Sequence, residues 1–426
     1  MPNQSVLSKL KDICQVGDGA HTSITRQEAG VLYLSSKNFK PTGLDLTKVD
    51  FISESDYLKH FGKNKKALTS PKKNDVLFGI IGTLGIPYLY KADDKFGLSS
   101  SVAILRPNYD MCSEYLYQFM TTPFFQDAVN AIKSGSAQGF LSLEMIKNLP
   151  IIQHEPDIQK KIAGVLSAYD DLIYNNQRQM ALLEEMAAEI YREWFVRLRF
   201  PGHEKVKVIR GVPEGWNIDK VESIGNVVTG KTPSTDNTRY FRGEFHFIKT
   251  PDMHNNMFIF DTDETLTKAG VDSQKSQTVP ENSICVSCIG TGGIVSITTR
   301  TCQTNQQINT VVLREKFQLE WAFFTIRNLK ETLQMFGSTG TTMTNLSKGK
   351  FSSLKLIKPD QELIKQFHLL VTPMFEQIAN LMQQTKLLKK SRAAILPRLI
   401  SGKLSVEHLD IQFPPSMLDE TVPLST

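Results

Sequence analysis

Five cysteines and three tryptophans are all that 426 residues hold of those two types. The cysteines are odd in number and scattered, which excludes a disulfide framework and points to a reducing compartment. The opening residues, MPNQSVLSKLKD, lack a basic-then-apolar pattern, so no secretory leader is expected. No apolar run reaches the length of a membrane span. The most apolar stretch, Val76 to Tyr90, is broken by three glycines and a proline. A cytoplasmic chain is therefore expected. Strong charge of either sign is also missing: the net charge is +5, which permits a nucleic-acid partner without demanding one.

Catalytic signatures are missing as well. No G-x-x-x-x-G-K-[ST] loop is present, which excludes the common phosphate-driven motor. A DNA methyltransferase needs a proline-rich loop to hold a flipped base, yet the only Pro-Pro is Pro414-Pro415 after Phe413, in an acidic tail. Gly290 to Gly293 is a poor cofactor loop without a strand–helix–strand context. Pro359-Asp360 with Glu362 and Lys365 has the wrong spacing for a nuclease and suits a helix start better. Cys285-Val-Ser-Cys288 is a lone pair without a second ligand pair, and on a strand its members face opposite sides. The eight histidines form no H-E-x-x-H. We expect no catalytic residue, no metal site and no cofactor in this chain.

What is present is a long internal repeat. Ile80 to Ile86 (IIGTLGI) returns as Cys288 to Ile294 (CIGTGGI), 208 positions later. An apolar run ending in arginine follows each: Ser101 to Arg106 and Asn309 to Arg314. A Gly/Ser/Thr cluster comes next, Ser134 to Gln138 in one half and Gly337 to Thr342 in the other. Short β-branched runs bounded by Gly, Ser and Asn read as strands, while Glu114 to Ile132 and Glu320 to Phe336 read as helices. Each half is thus a mixed α/β head without regular strand–helix alternation. With hydrophobic residues at 40%, several cores are affordable.

Each half ends in a long helical segment. Ile162, Leu166, Tyr169, Ile173, Asn176, Met180, Leu183, Ala187, Ile190 and Trp194 form a heptad seam. Ile364, Phe367, Val371, Met374, Ile378, Leu381, Thr385, Leu388, Arg392, Ile395 and Leu399 form the second. Both segments follow Pro-Asp, at Pro156-Asp157 and Pro359-Asp360, a favourable helix start. A helix of some 43 residues is roughly 60 Å long and needs a partner for its apolar stripe. The other repeat's helix, running antiparallel, is the simplest one. Asn176, Thr385 and Arg392 fit either solvent exposure or control of register. Pro373 predicts a kink, since proline in a helix interior costs about 3 kcal/mol, and Pro397 predicts the stop. Ile158, Val165, Leu172, Leu182, Met186, Tyr191 and Phe195 lie off the seam, which fits burial under the heads or a face for partner subunits.

Asn148 to Glu204 (NLPIIQHEPDIQKKIAGVLSAYDDLIYNNQ…), followed by GVPEGW (Gly211 to Trp216), resembles the central conserved region of type I restriction–modification DNA specificity subunits. LKLIKPDQELIKQF through LLKKSRAAILPRLISGKL resembles their C-terminal conserved region, and GKTPS (Gly230 to Ser234) resembles a common opening of their target-recognition domains. The first head has GDGAHTS (Gly17 to Ser23) in that place. The resemblance implies an α+β fold: two mixed α/β target-recognition domains separated by two long helices forming an antiparallel coiled coil, a pseudo-twofold internal repeat. It places target-recognition domain 1 at 1–155 and a central spacer helix at 156–199. A linker and target-recognition domain 2 follow at 200–359, then a second spacer helix at 360–404 and an acidic tail at 405–426. It implies a non-catalytic reader of an asymmetric bipartite site in double-stranded DNA. Its partners would be two methyltransferase subunits holding S-adenosylmethionine and restriction subunits using ATP and Mg. The residues alone also leave open a methyltransferase fused to a reader, or a coiled-coil adaptor indifferent to DNA.

Loops of the heads supply the DNA-contact candidates. In the first head these are Thr22, Ser23, Thr25, Arg26, Lys37, Asn38, Lys63, Lys65, Lys66, Lys72, Lys73, Thr83 and Gln138. In the second they are Lys231, Thr232, Ser234, Arg239, Lys249, Thr250, Thr291, Gln306, Gln307, Thr339, Thr341 and Thr342. Lys and Arg suit phosphates or guanine, and Gln and Asn suit adenine. The Lys63–Lys73 run equally fits a solvated loop, and I-G-T-x-G equally fits a tight turn.

Overall fold

The computed structural model describes residues 5–41, 43–62, 68–135, 139–290, 292–337 and 344–418. The chain divides into two compact units, one of residues 1–175 with 385–426 and one of residues 176–384.

In the first unit a four-stranded antiparallel sheet runs in the order Cys14–Asp18, Val102–Pro107, Val76–Gly79, Pro87–Leu89. A smaller sheet places Val31–Leu34 antiparallel to Asp50–Ile52 and parallel to Phe96–Leu98. A two-stranded ribbon pairs Val6–Lys9 with Pro150–Gln153. Val76 to Phe78 and Val102 to Leu105 are buried, so these strands read as continuous apolar runs, not as alternation. Helices Ser113–Met120 and Pro123–Gly135 cover the sheet, with Tyr115, Phe119 and Phe125 in one core with Phe78. The single helix expected over 114–132 is two. Thr122 turns its hydroxyl back to accept from the Phe125 N–H, and Pro123 opens the new helix.

The second unit repeats this plan. Its sheet runs Gly225–Thr229, Ile308–Leu313, Ile284–Ser287, Val295–Thr298, antiparallel, with Phe258–Ile259 added in parallel. Phe241–Ile248 lies antiparallel to Glu264–Leu266 and parallel to Cys302–Thr304. Asn217–Lys220 pairs with Lys355–Lys358 as the matching ribbon. Leu319–Asn328 and Lys330–Gly337 are the covering helices, with Trp321 at the centre of the core.

The two long helices are Pro156–Tyr191 and Gln361–Ile400. In the first unit Ile162 and Leu166 share a core with Leu396, Leu399 and Ile400, the start of one helix against the end of the other. In the second unit Phe367 meets Tyr191, Trp194 and Phe195 edge-on at 5.0–6.2 Å, again start against end. Both units therefore contain an antiparallel segment of the pair, as the heptads predict. Asn176 and Thr385 are buried, so solvent exposure does not explain these polar seam positions. Arg392 is mostly buried, its Nε 2.7 Å from Asp170 Oδ1, while Asp170 accepts from Gln118 Nε2 at 2.7 Å. The first helix widens at its end into a π-turn over Arg192–Val196. The second is unbroken at Pro373. It also passes Pro397 and ends at Ile400, where Gly402 takes a positive φ of 70°. Neither proline stops the helix, because packing of the seam outweighs one lost hydrogen bond.

Candidate nucleic-acid interface

The heads have no metal-ligand cluster among the described residues. Burial pushes the Cys285 thiol up to about 12 and Cys288 to about 11, so neither is a thiolate near neutral pH. Four turns stand together at one end of each main sheet.

The first turn leaves the opening strand. Gly230 N–H donates to Ile308 O and Lys231 N–H to Thr304 O; Gly19 N–H donates to Val102 O and Ala20 N–H to Leu98 O. A Cβ on Gly230 would lie 2.1 Å from Asn305 O, and one on Gly19 2.3 Å from Leu98 O. Only glycine lets these strands approach so closely. The GDGAHTS segment of the first head is thus the counterpart of GKTPS, despite their differing letters.

The second turn precedes the last strand of each sheet. Ser99–Ser101 in the first unit matches Asn305–Gln307 in the second. Ile80 N–H donates to Ser101 O as Cys288 N–H donates to Gln307 O. The third turn follows the small sheet. Ser35 N–H donates to Asn38 Oδ1 at 3.0 Å as Lys249 N–H donates to Asp252 Oδ2 at 2.7 Å. The fourth is the I-G-T-x-G repeat, a tight turn with Gly82, Gly85, Gly290 and Gly293 all at positive φ.

Side chains tie the turns together. In the first unit Ser101 Oγ accepts from Ser36 N–H at 3.0 Å, and Ser36 Oγ donates to Ile81 O. In the second, Thr232 Oγ1 donates to Gln306 Oε1 at 2.6 Å, and Gln307 Oε1 accepts from Asn305 Nδ2 at 3.0 Å and Thr250 Oγ1 at 3.4 Å. Gln274 Nε2 donates to Lys231 O at 2.6 Å and braces the opening turn.

The structure accordingly brings Thr22, Ser23, Lys37 and Thr83 onto neighbouring turns of one cluster. It brings Lys231, Thr232, Ser234, Lys249, Thr250, Gln306 and Gln307 onto the other. Thr22, Ser23, Thr25, Lys37, Lys231, Ser234, Arg239 and Gln306 are exposed. Asn38 is buried, and its amide donates to Asp45 O and Lys48 O, so it braces its own loop. Thr250 is buried too. Arg26 is exposed but engaged, its guanidinium 4.0 Å from the Tyr33 ring and 3.3 Å from Asp50. Lys249 pairs with Glu264 at 2.5 Å. Lys72 and Lys73 precede strand Val76–Gly79, at the opposite end from the turn over 80–86, and so stand apart from the cluster. Lys63, Lys65, Lys66, Gln138, Thr291, Thr339, Thr341 and Thr342 lie outside the described residues. Ser36 and Ser99–Ser101 were not among the sequence candidates. The signal for the latter is the constant offset of 206 from Asn305–Gln307.

The family model described as type I restriction modification DNA specificity domain matches this chain twice, over residues 2–185 and 213–371. The chain is 27% identical to the type I restriction enzyme HindI specificity subunit of Haemophilus influenzae, over 80% of this chain and 88% of that one. It is also 27% identical to the MjaIX specificity subunit of Methanocaldococcus jannaschii, over 96% and 95%. The crystal structure of a type I restriction–modification S subunit from M. genitalium shares the fold, with a TM-score of 0.61 at 14% identity, covering 93% of this chain and 96% of that one.

Proposed function

This chain belongs to the type I restriction modification DNA specificity family, whose members are non-catalytic subunits, and from that premise we propose that it reads an asymmetric two-part DNA site with two heads. The observation that carries this reading is that one four-turn cluster is built twice, on the same backbone hydrogen bonds, with different side chains at the tips. A frame repeated with altered tips suits two half-sites of different sequence.

The recognition domains are assigned to 1–155 and 200–359, the spacer helices to 156–199 and 360–404, and the acidic tail to 405–426. Lys37, Lys231 and Arg239 supply phosphate contacts that set register, with Arg26, Lys72, Lys73 and Lys249 as outlying cations. Thr22, Ser23, Thr83, Thr232, Ser234, Gln306 and Gln307 supply hydroxyl and amide groups for base edges, amides suiting adenine. The helices hold the gap between half-sites. Methyltransferase subunits carrying S-adenosylmethionine, and restriction subunits using ATP and Mg, supply the chemistry. No helix among the described residues is long and apolar enough to cross a membrane, in keeping with work on cytoplasmic DNA.

Replacing residues 1–150 with the first head of another specificity subunit tests the reading. Methylome sequencing of the host is expected to show one half-site changed, with the other half-site and the gap retained. Change in both half-sites, or methyl transfer by the chain alone, overturns it.

A further inference from the structure

The second head holds its opening turn with a buried pair of amides. Gln274 lies between helix Lys268–Asp272 and the turn Lys275–Gln277, and Gln303 lies in strand Cys302–Thr304. They are 5% and 0% exposed. Gln303 Nε2 donates to Val271 O at 3.0 Å, Gln274 O at 3.2 Å and Thr278 Oγ1 at 2.9 Å, which ties segment 271–278 to the strand. Gln303 Oε1 accepts from Gln274 Nε2 at 2.9 Å, and the same Nε2 donates to Lys231 O at 2.6 Å. Lys231 N–H in turn donates to Thr304 O. Residue 231 is thus held at both its main-chain polar groups, immediately before Thr232. Both contacts of Gln274 Nε2 are to acceptors, which fixes the orientation of the amide. Gln274 Oε1, buried, has no donor among the described residues.

The first head fills the same place with carbon. Gly97 is the counterpart of Gln303, since Tyr33 pairs with Gly97 as Phe247 pairs with Gln303. A Cβ on Gly97 would lie 2.6 Å from Phe61 Cε2, so the Phe61 ring takes the space of a side chain there. Phe61 shares a core with Tyr33 and with Ile24, which follows the opening turn of that head. Carbon packing leaves no polar group unpaired, whereas the amide pair leaves one acceptor buried without a donor, which is unfavourable. What the amides add is direction. Apolar burial is non-directional, while a hydrogen bond holds a carbonyl at one distance and angle.

We propose that Gln274 and Gln303 are positioning residues that set the base preference of the second head. This rests on the reading of the chain as a DNA reader. Being buried, the two amides act through Lys231 O and not by meeting a base. Gln274 fixes that carbonyl, and with it the place of the tips Thr232 and Ser234. Gln303 acts one step further back, by orienting Gln274. Recognition side chains need such support, because a small displacement of the tip spoils the geometry of a base contact.

The test uses the full-length chain in complex with the methyltransferase subunit of its host. Methylation rates are measured on the host's methylated motif and on duplexes carrying each single base change in it. Gln274→Met is expected to lower discrimination about tenfold within one half-site and to leave the other half-site unchanged. Gln274→Glu keeps the shape, turns the donor into an acceptor, and is expected to lower it at least as far. Gln303→Met is expected to give a smaller loss in the same half-site. Discrimination is a ratio of rates, so a loss of folded protein, which lowers every rate together, leaves it unmoved. Unchanged ratios for both Gln274 variants overturn the proposal, as does an equal loss in both half-sites. Thr232→Ala and Gln306→Ala separate the two levels. If these tip variants alter one half-site and the Gln274 variants do not, the positioning role alone fails; if the tip variants alter neither half-site, the DNA reading fails.

Discussion

The two units share a backbone plan and differ in how they finish it. At the turn before the last sheet strand the first unit places Ser99–Ser101 and the second Asn305–Gln307, on matching main-chain bonds. The grips on the second long helix differ as well. In the first unit Arg392 pairs with Asp170, which also accepts from Gln118. In the second, Glu320 sits buried, accepting from Thr372 Oγ1 at 2.9 Å and lying 2.7 Å from His368 Nδ1. The equivalent core positions hold Tyr115 and Trp321. Main-chain hydrogen bonds and close glycine contacts tolerate little change, because each buried polar group must find its partner. Loop tips and helix grips answer only to local satisfaction, so they diverge.

The comparison can be broken most sharply at the cores. Trp321→Ala should cost the second unit about 3–5 kcal/mol, read as an early unfolding transition that leaves the first unit's transition in place. A single shifted transition would show that the units do not unfold separately. Thr372→Val should cost about 2 kcal/mol by taking one partner from a buried carboxylate, measured by urea denaturation. Gln306→Ala should relax one half-site by about 1–3 kcal/mol, some ten- to a hundredfold, and leave the other untouched. Methylome sequencing reads that difference. Tyr115→Phe should cost about 1 kcal/mol, since the hydroxyl donates to Ile152 O at 2.6 Å. Arg392→Met should cost less, about 0.5–1 kcal/mol, because water partly screens Asp170.

Near neutral pH the smallest effect belongs to the thiols. Burial raises Cys14 and Cys112 to about 12, like Cys285, from an ordinary value of 9.0. The folded chain therefore keeps its protons where the unfolded chain loses them. This contribution is fully present below pH 9 and is lost as pH rises toward 12. Denaturation at pH 8 and pH 10 should show the loss, and Cys285→Ala should reduce it.

The amino-acid order by itself determined the duplication, the two heptad seams and their antiparallel pairing. These follow from periodicity and from the recurrence of short motifs, both local properties of the chain. It also carried the family resemblance through NLPIIQHEPDIQKKIAG and GKTPS. Only the tertiary structure decided which loop residues act as tips and which as braces. Asn38 is a candidate by sequence and is buried; Ser99–Ser101 is not a candidate by sequence and matches Asn305–Gln307. It also decided that the second long helix runs unbroken through Pro373 and ends at Ile400, three residues past Pro397, and that Leu7 and Ile218 are exposed. Those outcomes depend on contacts between residues far apart in sequence, such as Ala20 with Leu98 and Lys231 with Thr304. No local pattern encodes which distant partner will supply a hydrogen bond or close an apolar face.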